Sequence, residues 1–423
     1  MGADRGPAGR TDAVVIVGAG TAGQQTAASL RAHGHAGRVV LVGEETASPV
    51  PYERPPLSKA FLAGDLPEEE LWPRPPAYYA RHSVELVRGA VTALDRAGRA
   101  VRLADGRTYA YDHLVLATGS APRVLPVPGA ELPGVHTLRT LAHARALRAD
   151  LARADRVVVA GAGYLGLECA AAFRSAGRRV TVVEALDRPL SRVAGARTAA
   201  HVARLHRERG TELLCGRRVA AFHGRAGRVA AVELGDGRVL DADLVLVAAG
   251  AAPRTGLARE AGLAAGDGVA VDARLLTADP AVSAVGDCAA FPDPRTGAPV
   301  RLESVPNALG QAEFAAARIA TGAEAAYGAL PWFWSGQFDS TVQIAGLGGG
   351  HDTEVVLGEE ASGAFSVLLF EGAELRAAES VNRPGDHMAA RRLLSAPGLR
   401  PTPEEASAPG FTLRDYARAR ASA

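Results

Sequence analysis

Two stretches of this chain repeat the same order of apolar and polar positions. Each begins with a run of β-branched residues, turns through three glycines and continues as an alanine-rich segment: AVVIVGAGTAGQQTAASLRAHG (13–34) and RVVVAGAGYLGLECAAAFRSAG (156–177). An unbroken apolar run that ends at a turn is typical of a strand buried on both faces of a sheet. The pattern therefore predicts two strand–turn–helix units.

The glycines of the first unit, Gly18, Gly20 and Gly23, have the spacing of a dinucleotide-binding turn. The first permits a tight turn, the second lets a pyrophosphate approach the backbone, and the third lets helix and strand pack closely. The helix start then presents free N–H groups to the phosphates. Glu44 lies near the end of the next predicted strand, RVVLVGEE, close to the roughly 20-residue spacing expected for an acid that binds a ribose.

The second unit carries Gly161, Gly163 and Gly166, and Glu184 occupies the place of the ribose acid. The chain is therefore predicted to bind two dinucleotides. An acid at this position repels the 2′-phosphate of NADP and accepts hydrogen bonds from the free hydroxyls of NAD, so we expect NAD. Arg188 leaves the alternative open, because a guanidinium near the ribose can hold a 2′-phosphate.

Three further apolar runs end in small residues: YDHLVLATGSAPR (111–123), DADLVLVAAGAAPR (241–254) and AVSAVGDCAAF (281–291). The first two echo each other, which suggests that both units close with a buried strand and a glycine turn that crosses to the next domain. In the third run Asp287 follows Gly286, where an acid can bind a polyol or, through backbone amides and water, a pyrophosphate. The alternative for Asp287 is a simple helix cap.

Composition indicates a folded protein of several domains. The chain has 423 residues, 48% hydrophobic and 22% charged, enough for two or three packed domains. The net charge of +1 gives no reason to expect nucleic-acid binding. The longest mostly apolar segment, residues 157–173, is interrupted by glycines and by Glu168, so we expect no membrane span.

The cysteines and the N-terminus point to the cytoplasm. The three cysteines, Cys169, Cys215 and Cys288, form neither a C-x-x-C pair nor a metal-ligand spacing, so we expect no disulfide framework and no metal site. Residues 1–12 lack the apolar stretch of a secretory signal, and they are expected to form a mobile tail.

Lysine occurs once in the chain, as Lys59 in VPYERPPLSKAFLAG (50–64), although the sequence holds 47 basic residues. A compact ammonium cannot be replaced by the planar fork of arginine where the charge must be placed at one point. The lone lysine therefore suggests a functional position, while an ordinary exposed residue kept by chance remains the alternative.

These residues resemble the FAD- and NADH-dependent ferredoxin reductases that supply bacterial oxygenases. Nearly the whole chain takes part in the resemblance, through the ordered motifs VIVGAGTAG (15–23), PYERPPLSKAFL (51–62), LVLATGSAPR (114–123), LRTL (138–141), VVVAGAGYLGLE (157–168), AVGDCA (284–289), ESVPNALGQA (303–312), PWFWS (331–335) and VNRP (381–384).

The resemblance implies an α/β, glutathione-reductase-like fold with two Rossmann-type nucleotide-binding domains and a C-terminal α+β domain. The FAD-binding domain is expected in two parts, residues 1–120 and 251–326, with the NAD-binding domain at 121–250 between them. The C-terminal domain would then cover residues 327–423.

The resemblance also implies the binding residues. The residues expected to bind FAD are Gly18, Gly20, Thr21, Ala22, Gly23, Glu44, Lys59, Val91, Ala117, Thr118, Gly119, Arg139, Asp287, Val305 and Trp334. The residues expected along NADH are Gly161, Gly163, Tyr164, Leu165, Gly166, Glu168, Glu184 and Gly250. Trp334 either borders the flavin near the docked electron acceptor or fills the domain core.

By the same resemblance, Lys59 and Glu168 are the catalytic residues: the ammonium pairs with the carboxylate beside the flavin and stabilises the negative charge of the reduced ring. A hydride is expected to pass from NADH to FAD, and single electrons to an iron–sulfur ferredoxin, of the [2Fe–2S] type or similar, that supplies an oxygenase. Arg74 and Arg318 are candidates for a basic rim toward this partner, and a monomer or a homodimer is expected.

Two alternatives share the fold. An NADH oxidase, peroxide reductase or disulfide reductase needs a reactive thiol near the flavin, and residues 44–64, where such enzymes carry it, contain no cysteine. An NADH-sensing flavoprotein would keep the binding motifs and lose turnover.

Overall fold

The computed structural model describes residues 12–396 and 398–421. The predicted mobile tail lies almost wholly outside the described residues. The described chain forms two compact units: residues 12–54, 67–121 and 251–329 make up the first, and residues 55–66, 122–250 and 330–421 the second. The division into domains at residues 120, 250 and 326 stays a prediction.

The strands are numbered in chain order. The first nine are β1 (Val14–Val17), β2 (Val39–Gly43), β3 (Val84–Arg88), β4 (Val91–Asp95), β5 (Ala100–Leu103), β6 (Thr108–Ala110), β7 (His113–Leu116), β8 (Ser120–Pro122) and β9 (Val135–His136). The next nine are β10 (Arg156–Ala160), β11 (Arg179–Glu184), β12 (Glu212–Cys215), β13 (Val219–Arg225), β14 (Arg228–Leu234), β15 (Val239–Asp241), β16 (Leu244–Val247), β17 (Ala251–Pro253) and β18 (Ala265–Gly266). The last nine are β19 (Gly268–Ala270), β20 (Val282–Ala284), β21 (Ala289–Pro292), β22 (Pro299–Val300), β23 (Trp332–Gln337), β24 (Ser340–Gly346), β25 (Thr353–Glu359), β26 (Ala364–Glu371) and β27 (Glu374–Val381).

The α-helices are α1 (Thr21–Ala32), α2 (Ala60–Ala63), α3 (Pro76–Arg81), α4 (Leu141–Leu151), α5 (Tyr164–Ser175), α6 (Ala196–Glu208), α7 (Gly256–Glu260), α8 (Val305–Thr321), α9 (Pro384–Ser395), α10 (Pro403–Ala406) and α11 (Leu413–Ala421). No helix within the described ranges is long and apolar enough to cross a bilayer.

The first unit is built on a five-stranded parallel sheet with the order β20-β7-β1-β2-β3. All four residues of β1 are buried, as expected for a central strand that is covered on both faces. Helices α1 and α8 pack together beside the sheet. Two smaller sheets, β4-β5-β6 and β18-β19-β21-β22, complete this unit.

The second unit contains a parallel sheet of the same kind, with the order β12-β11-β10-β16-β9. As in the first unit, the strand that precedes the glycine turn lies inside the sheet. The next strand of the parallel sheet lies on one side of it (β2 beside β1, β11 beside β10), and a later strand lies on the other side (β7 and β16), so the strand order reverses there. Ligands of such sheets bind at the carboxyl ends of the strands where the order reverses. Both glycine turns lie at this position.

Residues 330–421 of the second unit add a five-stranded antiparallel sheet, β23-β24-β27-β26-β25. Helices α9 and α11 cover it, and the core between them includes Phe370, Leu375, Leu393 and Leu413. The edge strand β23 carries the aromatic run of the sequence, and one face of it packs on α5. This contact places the side chains of β23 beside the second glycine turn.

A substitution at Ile16 tests whether β1 lies in the core of the first unit. Its side chain has no solvent exposure and belongs to the core shared with Leu30, Leu41 and Val115. We expect Ile16→Ala to lower the free energy of unfolding by about 2–5 kcal/mol, because the truncation loses apolar contacts and leaves a cavity.

Chemical unfolding followed by circular dichroism measures this change. The control is Val239→Ala on β15, where the side chain is 56% exposed and a change of about 0.5 kcal/mol or less is expected. Equal losses for the two variants would contradict the assignment of Ile16 to the core.

Candidate functional site

The first glycine turn is folded so tightly that two of its glycines have no room for a side chain. Gly18 has φ +111° and donates its N–H to Val42 O at 2.8 Å. A Cβ added to Gly18 would collide with the carbonyl of Ala117, and one added to Gly23 would collide with the carbonyl of Gly18. These contacts fix the turn against β7 and start α1 close to the strand.

Gly20 differs, because the space beside it is open. The nearest atoms to an added Cβ belong to the Arg54 guanidinium, at 3.8 Å. Helix α1 begins at Thr21 and Ala22, and its N-cap residue, Gly20, has no side chain to cap the first N–H groups. Free amides at a helix start together with a nearby guanidinium form an anion-binding concavity.

Arg54 is a site residue that the sequence reasoning missed. Glu45 holds its guanidinium at 2.5 Å and also accepts a hydrogen bond from Tyr52, and the Tyr52 ring lies 5.6 Å from the guanidinium carbon. The arginine is therefore fixed beside Gly20. Its place in the PYERPPLSK motif was the available signal.

The predicted ribose acid Glu44 forms an ion pair with Arg254. The backbone of Arg254 is bound in turn: its carbonyl accepts from Thr118 Oγ1 at 2.7 Å, and its N–H donates to Gly119 O at 2.9 Å. Glu44, Thr118 and Gly119 are therefore brought together through Arg254, which the sequence reasoning did not identify.

Asp287 also lies near the first turn. Ser120 donates to its carboxylate at 2.9 Å, and the preceding Gly286 has φ +75° and approaches Ala22 so closely that an added Cβ would be 2.9 Å from that of Ala22. Val305 is the first residue of α8, which packs on α1. Val91 packs on the core beneath the sheet, and its predicted contact with FAD stays a prediction.

The second glycine turn repeats the first. An added Cβ at Gly161 would collide with the carbonyl of Ala248, and one at Gly166 with the carbonyl of Gly161, whereas nothing lies within 4 Å of the position beside Gly163. Tyr164 and Leu165 form the start of α5. Leu165 is 38% exposed, and burial raises the pKa of Tyr164.

Glu184 braces this turn as well as ending β11. One carboxylate oxygen accepts the N–H of Ala162 at 2.7 Å, and the other accepts the N–H of Leu186 at 2.9 Å. Arg188 is held by backbone carbonyls, those of Ala194 at 3.0 Å and Ser191 at 3.4 Å.

Gly250 lies past the end of β16, the strand beside β10. It has φ +96°, and an added Cβ would lie 3.3 Å from the guanidinium of Arg192.

Lys59 and Glu168 meet, as the resemblance implies. The ammonium lies 3.1 Å from Glu168 Oε1, and the carboxylate side chain is 9% exposed while that of Lys59 is 34% exposed. Two hydroxyls also donate to this carboxylate: Ser58 Oγ at 2.9 Å and Ser335 Oγ at 2.6 Å. The second unit thus holds a buried carboxylate with three donors, one of them charged.

Two predicted residues of the second unit lie apart from this cluster. Trp334 stacks on Trp332 at 5.5 Å between ring centroids, and the two occupy the face of β23 opposite to Ser335. Arg139 precedes Thr140, the residue that caps α4. Their predicted contact with FAD stays a prediction.

The expectation that Arg318 belongs to a basic surface rim is wrong. Its side chain is only 8% exposed and donates to Ser283 Oγ at 2.6 Å beside His113. The arginine lies on the apolar side of α8, where Ala315 and Ala316 are also buried. Arg74 remains near the surface and binds Gln25 Oε1 at 2.8 Å.

The three thiols are free. Cys169 and Cys288 are fully buried, and burial raises the pKa of both. Burial also raises the pKa of the half-buried Cys215. A thiol with a raised pKa is a poor nucleophile. Among the described residues, no group of three His, Cys, Asp or Glu side chains is placed to hold a metal ion.

Both glycine turns fit a dinucleotide. In each turn the outer two glycines are closed by backbone, while the middle one faces open space at the start of an uncapped helix. A pyrophosphate needs this combination, since its oxygens must approach backbone amides without a side chain between them.

Comparison with known proteins also indicates a nucleotide-binding family. Residues 12–312 match the pyridine nucleotide-disulphide oxidoreductase family, and residues 332–417 match the reductase C-terminal family. Rhodocoxin reductase of Rhodococcus erythropolis is 46% identical over 402 residues, which cover 95% of this chain and 93% of that protein.

Two solved structures have a TM-score of 0.93. A ferredoxin reductase from Rhodopseudomonas palustris is 41% identical, with 96% of this chain and 100% of that chain covered. The reductase in a covalent putidaredoxin reductase–putidaredoxin complex is 38% identical, with 97% and 99% covered. These matches confirm the resemblance and the fold that the sequence predicts.

Gly163 and Gly166 make a matched test of the second turn. We expect Gly163→Ala to leave the melting temperature unchanged and to weaken NAD⁺ binding by about tenfold or more, because the methyl group occupies the side from which a pyrophosphate approaches. We expect Gly166→Ala to lower the melting temperature, because its methyl group collides with the Gly161 carbonyl.

Two measurements separate these effects: circular dichroism monitors thermal melting, and titration calorimetry measures NAD⁺ binding. Unchanged NAD⁺ affinity in a fully folded Gly163→Ala protein would show that the pyrophosphate does not lie at this turn.

Proposed function

We propose a function for this chain from the premise that it belongs to the pyridine nucleotide-disulphide oxidoreductase family, which matches residues 12–312. The chain is an FAD-dependent NADH:ferredoxin oxidoreductase that supplies electrons to an oxygenase. The observation that carries this assignment is the ion pair between Lys59 and the nearly buried Glu168 beside the second glycine turn. Lys59 stands on the segment where thiol enzymes of the same fold would carry a cysteine.

FAD is bound at the first glycine turn and NADH at the second. When bound, the flavin supplies two-electron acceptance from a nicotinamide and one-electron delivery to a carrier. In the first unit, the amides of Thr21 and Ala22 and the Arg54 guanidinium hold the pyrophosphate, and Glu44 faces the adenosine ribose. The remaining proposed FAD residues outside the glycine turn are Lys59, Val91, Ala117, Thr118, Gly119, Arg139, Asp287, Val305 and Trp334.

In the second unit the pyrophosphate of NADH is held at Gly161 to Gly166, and Glu184 receives the ribose hydroxyls. Arg188 is tied to the carbonyls of Ser191 and Ala194, so its guanidinium is engaged with backbone. This arrangement supports NADH over NADPH, because a 2′-phosphate would meet the acid Glu184 while the Arg188 guanidinium is engaged with backbone.

Lys59 provides the positive charge that the reduced flavin requires, and Glu168 orients it. Two serine hydroxyls and the ammonium together satisfy the carboxylate, which therefore remains a fixed acceptor although it is nearly buried. The residues position and stabilise charge, and no general base is assigned.

The electron acceptor is proposed to be an iron–sulfur ferredoxin. The names of the relatives support this, since they include reductases of rhodocoxin, of ferredoxin and of putidaredoxin, and one solved relative is covalently joined to putidaredoxin. A cytoplasmic location is also proposed, with the three free cysteines as its support.

The experiment that tests the function is a steady-state assay with the FAD-loaded protein, NADH, cytochrome c as final acceptor and a panel of purified carriers. We expect cytochrome c reduction to depend on a [2Fe–2S] ferredoxin or a similar carrier. Rapid turnover of hydrogen peroxide or of disulfides without any carrier would instead assign the chain to the thiol-type alternatives. Slow flavin reduction by NADH with a persistent charge-transfer band would assign it to the sensors.

Lys59→Arg tests the special role of the lone lysine. Arginine keeps the charge but spreads it over a plane farther from the backbone. We expect flavin reduction by NADH, measured by anaerobic stopped-flow absorbance, to slow by about tenfold while FAD stays bound.

The matched control is Arg74→Lys, the reverse exchange at a position near the surface, for which the parental rate is expected. A parental rate in Lys59→Arg would show that any cation suffices at this position.

Alkylation with iodoacetamide at mildly alkaline pH tests the thiol-type alternatives. Because burial raises the pKa of all three thiols, they stay protonated and react slowly. We expect mass spectrometry to find label on Cys215 at most, and carrier-dependent electron transfer to proceed at the untreated rate. Loss of activity in step with labelling of Cys169 or Cys288 would contradict this.

A further inference from the structure

A chain of buried hydrogen bonds leads from Glu168 into helix α6. Ser335 Oγ donates to Glu168 Oε1 at 2.6 Å, Gln337 Nε2 donates to Ser335 Oγ at 2.9 Å, and His206 Nε2 lies 3.0 Å from Gln337 Oε1. Ser335, Gln337 and His206 have no solvent exposure. Buried polar residues of three different elements are thus joined in one line that ends at the carboxylate.

These hydrogen bonds can form because the residues of α5 and of β23 that face each other are separated by similar distances. Tyr164 and Glu168 are one helical turn apart, about 6 Å along α5, and Phe333 and Ser335 are two residues apart on one face of β23, about 6.6 Å. The Tyr164 ring packs in a tilted orientation on Phe333, with 4.3 Å between centroids, and Glu168 meets Ser335. Gln337 is the next residue on the same face of the strand.

The direction of every hydrogen bond is set by the carboxylate. An ionised Glu168 only accepts, so the single proton of the Ser335 hydroxyl must point toward it. Ser335 Oγ then accepts from the Gln337 amide N–H, and the Gln337 carbonyl accepts from a proton on His206 Nε2.

Burial lowers the pKa of His206, so the ring is neutral, and Nδ1 has no partner among the described residues. The neutral Nε2–H tautomer is therefore the one that fits. All three groups present the positive ends of their dipoles toward Glu168.

We propose that Gln337 and His206 are positioning residues that act through Ser335 to fix the Glu168 carboxylate and, through it, the Lys59 ammonium. Ser335 and Lys59 both bind the same oxygen, Oε1, so a shift of the hydroxyl changes the place at which the ammonium is held. Lys59 is one-third exposed and depends on this partner for a fixed position. The inference rests on the role of Lys59 in the proposed function.

The test compares flavin reduction by NADH in Ser335→Ala, Gln337→Met and the double variant, by anaerobic stopped-flow with the FAD-loaded full chain. We expect the limiting rate to fall by about tenfold in Ser335→Ala and about threefold to tenfold in Gln337→Met, with the NADH dissociation constant unchanged. The double variant should be no slower than Ser335→Ala, because Gln337 acts through Ser335. The control is Gln343→Met on β24, outside the line, for which the parental rate is expected.

His206 offers a second pair of variants if Gln337→Met folds poorly. His206→Gln keeps an N–H donor near the position of Nε2 and should retain the parental rate, while His206→Leu should behave like Gln337→Met. ¹⁵N NMR of the imidazole gives a readout that does not depend on turnover: the parental protein should show the neutral Nε2–H tautomer, and Gln337→Met should lose that preference.

The inference is overturned if Gln337→Met and His206→Leu reduce the flavin at the parental rate while folded, if the effects of Ser335→Ala and Gln337→Met multiply in the double variant, or if His206 carries its proton on Nδ1. Failure of the proposed function has a different signature, because it would be seen in the parental protein itself, either as no flavin reduction by NADH or as turnover of peroxide or disulfides without a carrier.

Discussion

The placement of one negative charge inside the second unit sets the conditions for the rest of the site. Glu168 is 9% exposed, and burial of a carboxylate is costly unless its lone pairs are satisfied. Two hydroxyls and the ammonium of Lys59 satisfy it. The ammonium, in turn, is held at a defined point because the same carboxylate is fixed by the two hydroxyls. The segment that carries Lys59, the helix that carries Glu168 and the strand that carries Ser335 are therefore required together.

The two glycine turns have the same geometry. In each turn, the glycine at the strand end lies against a backbone carbonyl that follows the neighbouring strand. The third glycine, in the helix, lies against the carbonyl of the first glycine, so the helix packs closely on the turn. The glycine between them leaves space for a ligand group. Because backbone carbonyls make the closest of these contacts, the geometry of the turns depends little on neighbouring side chains, and a sequence pattern of three glycines is enough to predict it.

Because these features depend on local backbone geometry, the sequence alone predicts them, while contacts between distant side chains are not predicted. The strands around Val14 and Val157, both glycine turns and the acid Glu184 follow from local patterns. The pairing of Lys59 with Glu168 could be stated only through resemblance, since the two are far apart in sequence. Arg54 was missed although it stands in the PYERPPLSK motif, and Arg254 was missed because nothing local marks which of many arginines approaches a turn. Arg318 was misplaced, since a single cation in a helix does not reveal that its face is buried.

The chain's nearly complete replacement of lysine by arginine has a practical consequence. Apart from the N-terminus, the protein carries a single primary amine, and it belongs to the residue that binds Glu168. An isotopic or fluorescent tag selective for ε-amino groups would therefore report on one known atom without engineering, and a lysine-specific endoproteinase would have a single peptide bond to cut, the one that joins Lys59 to Ala60.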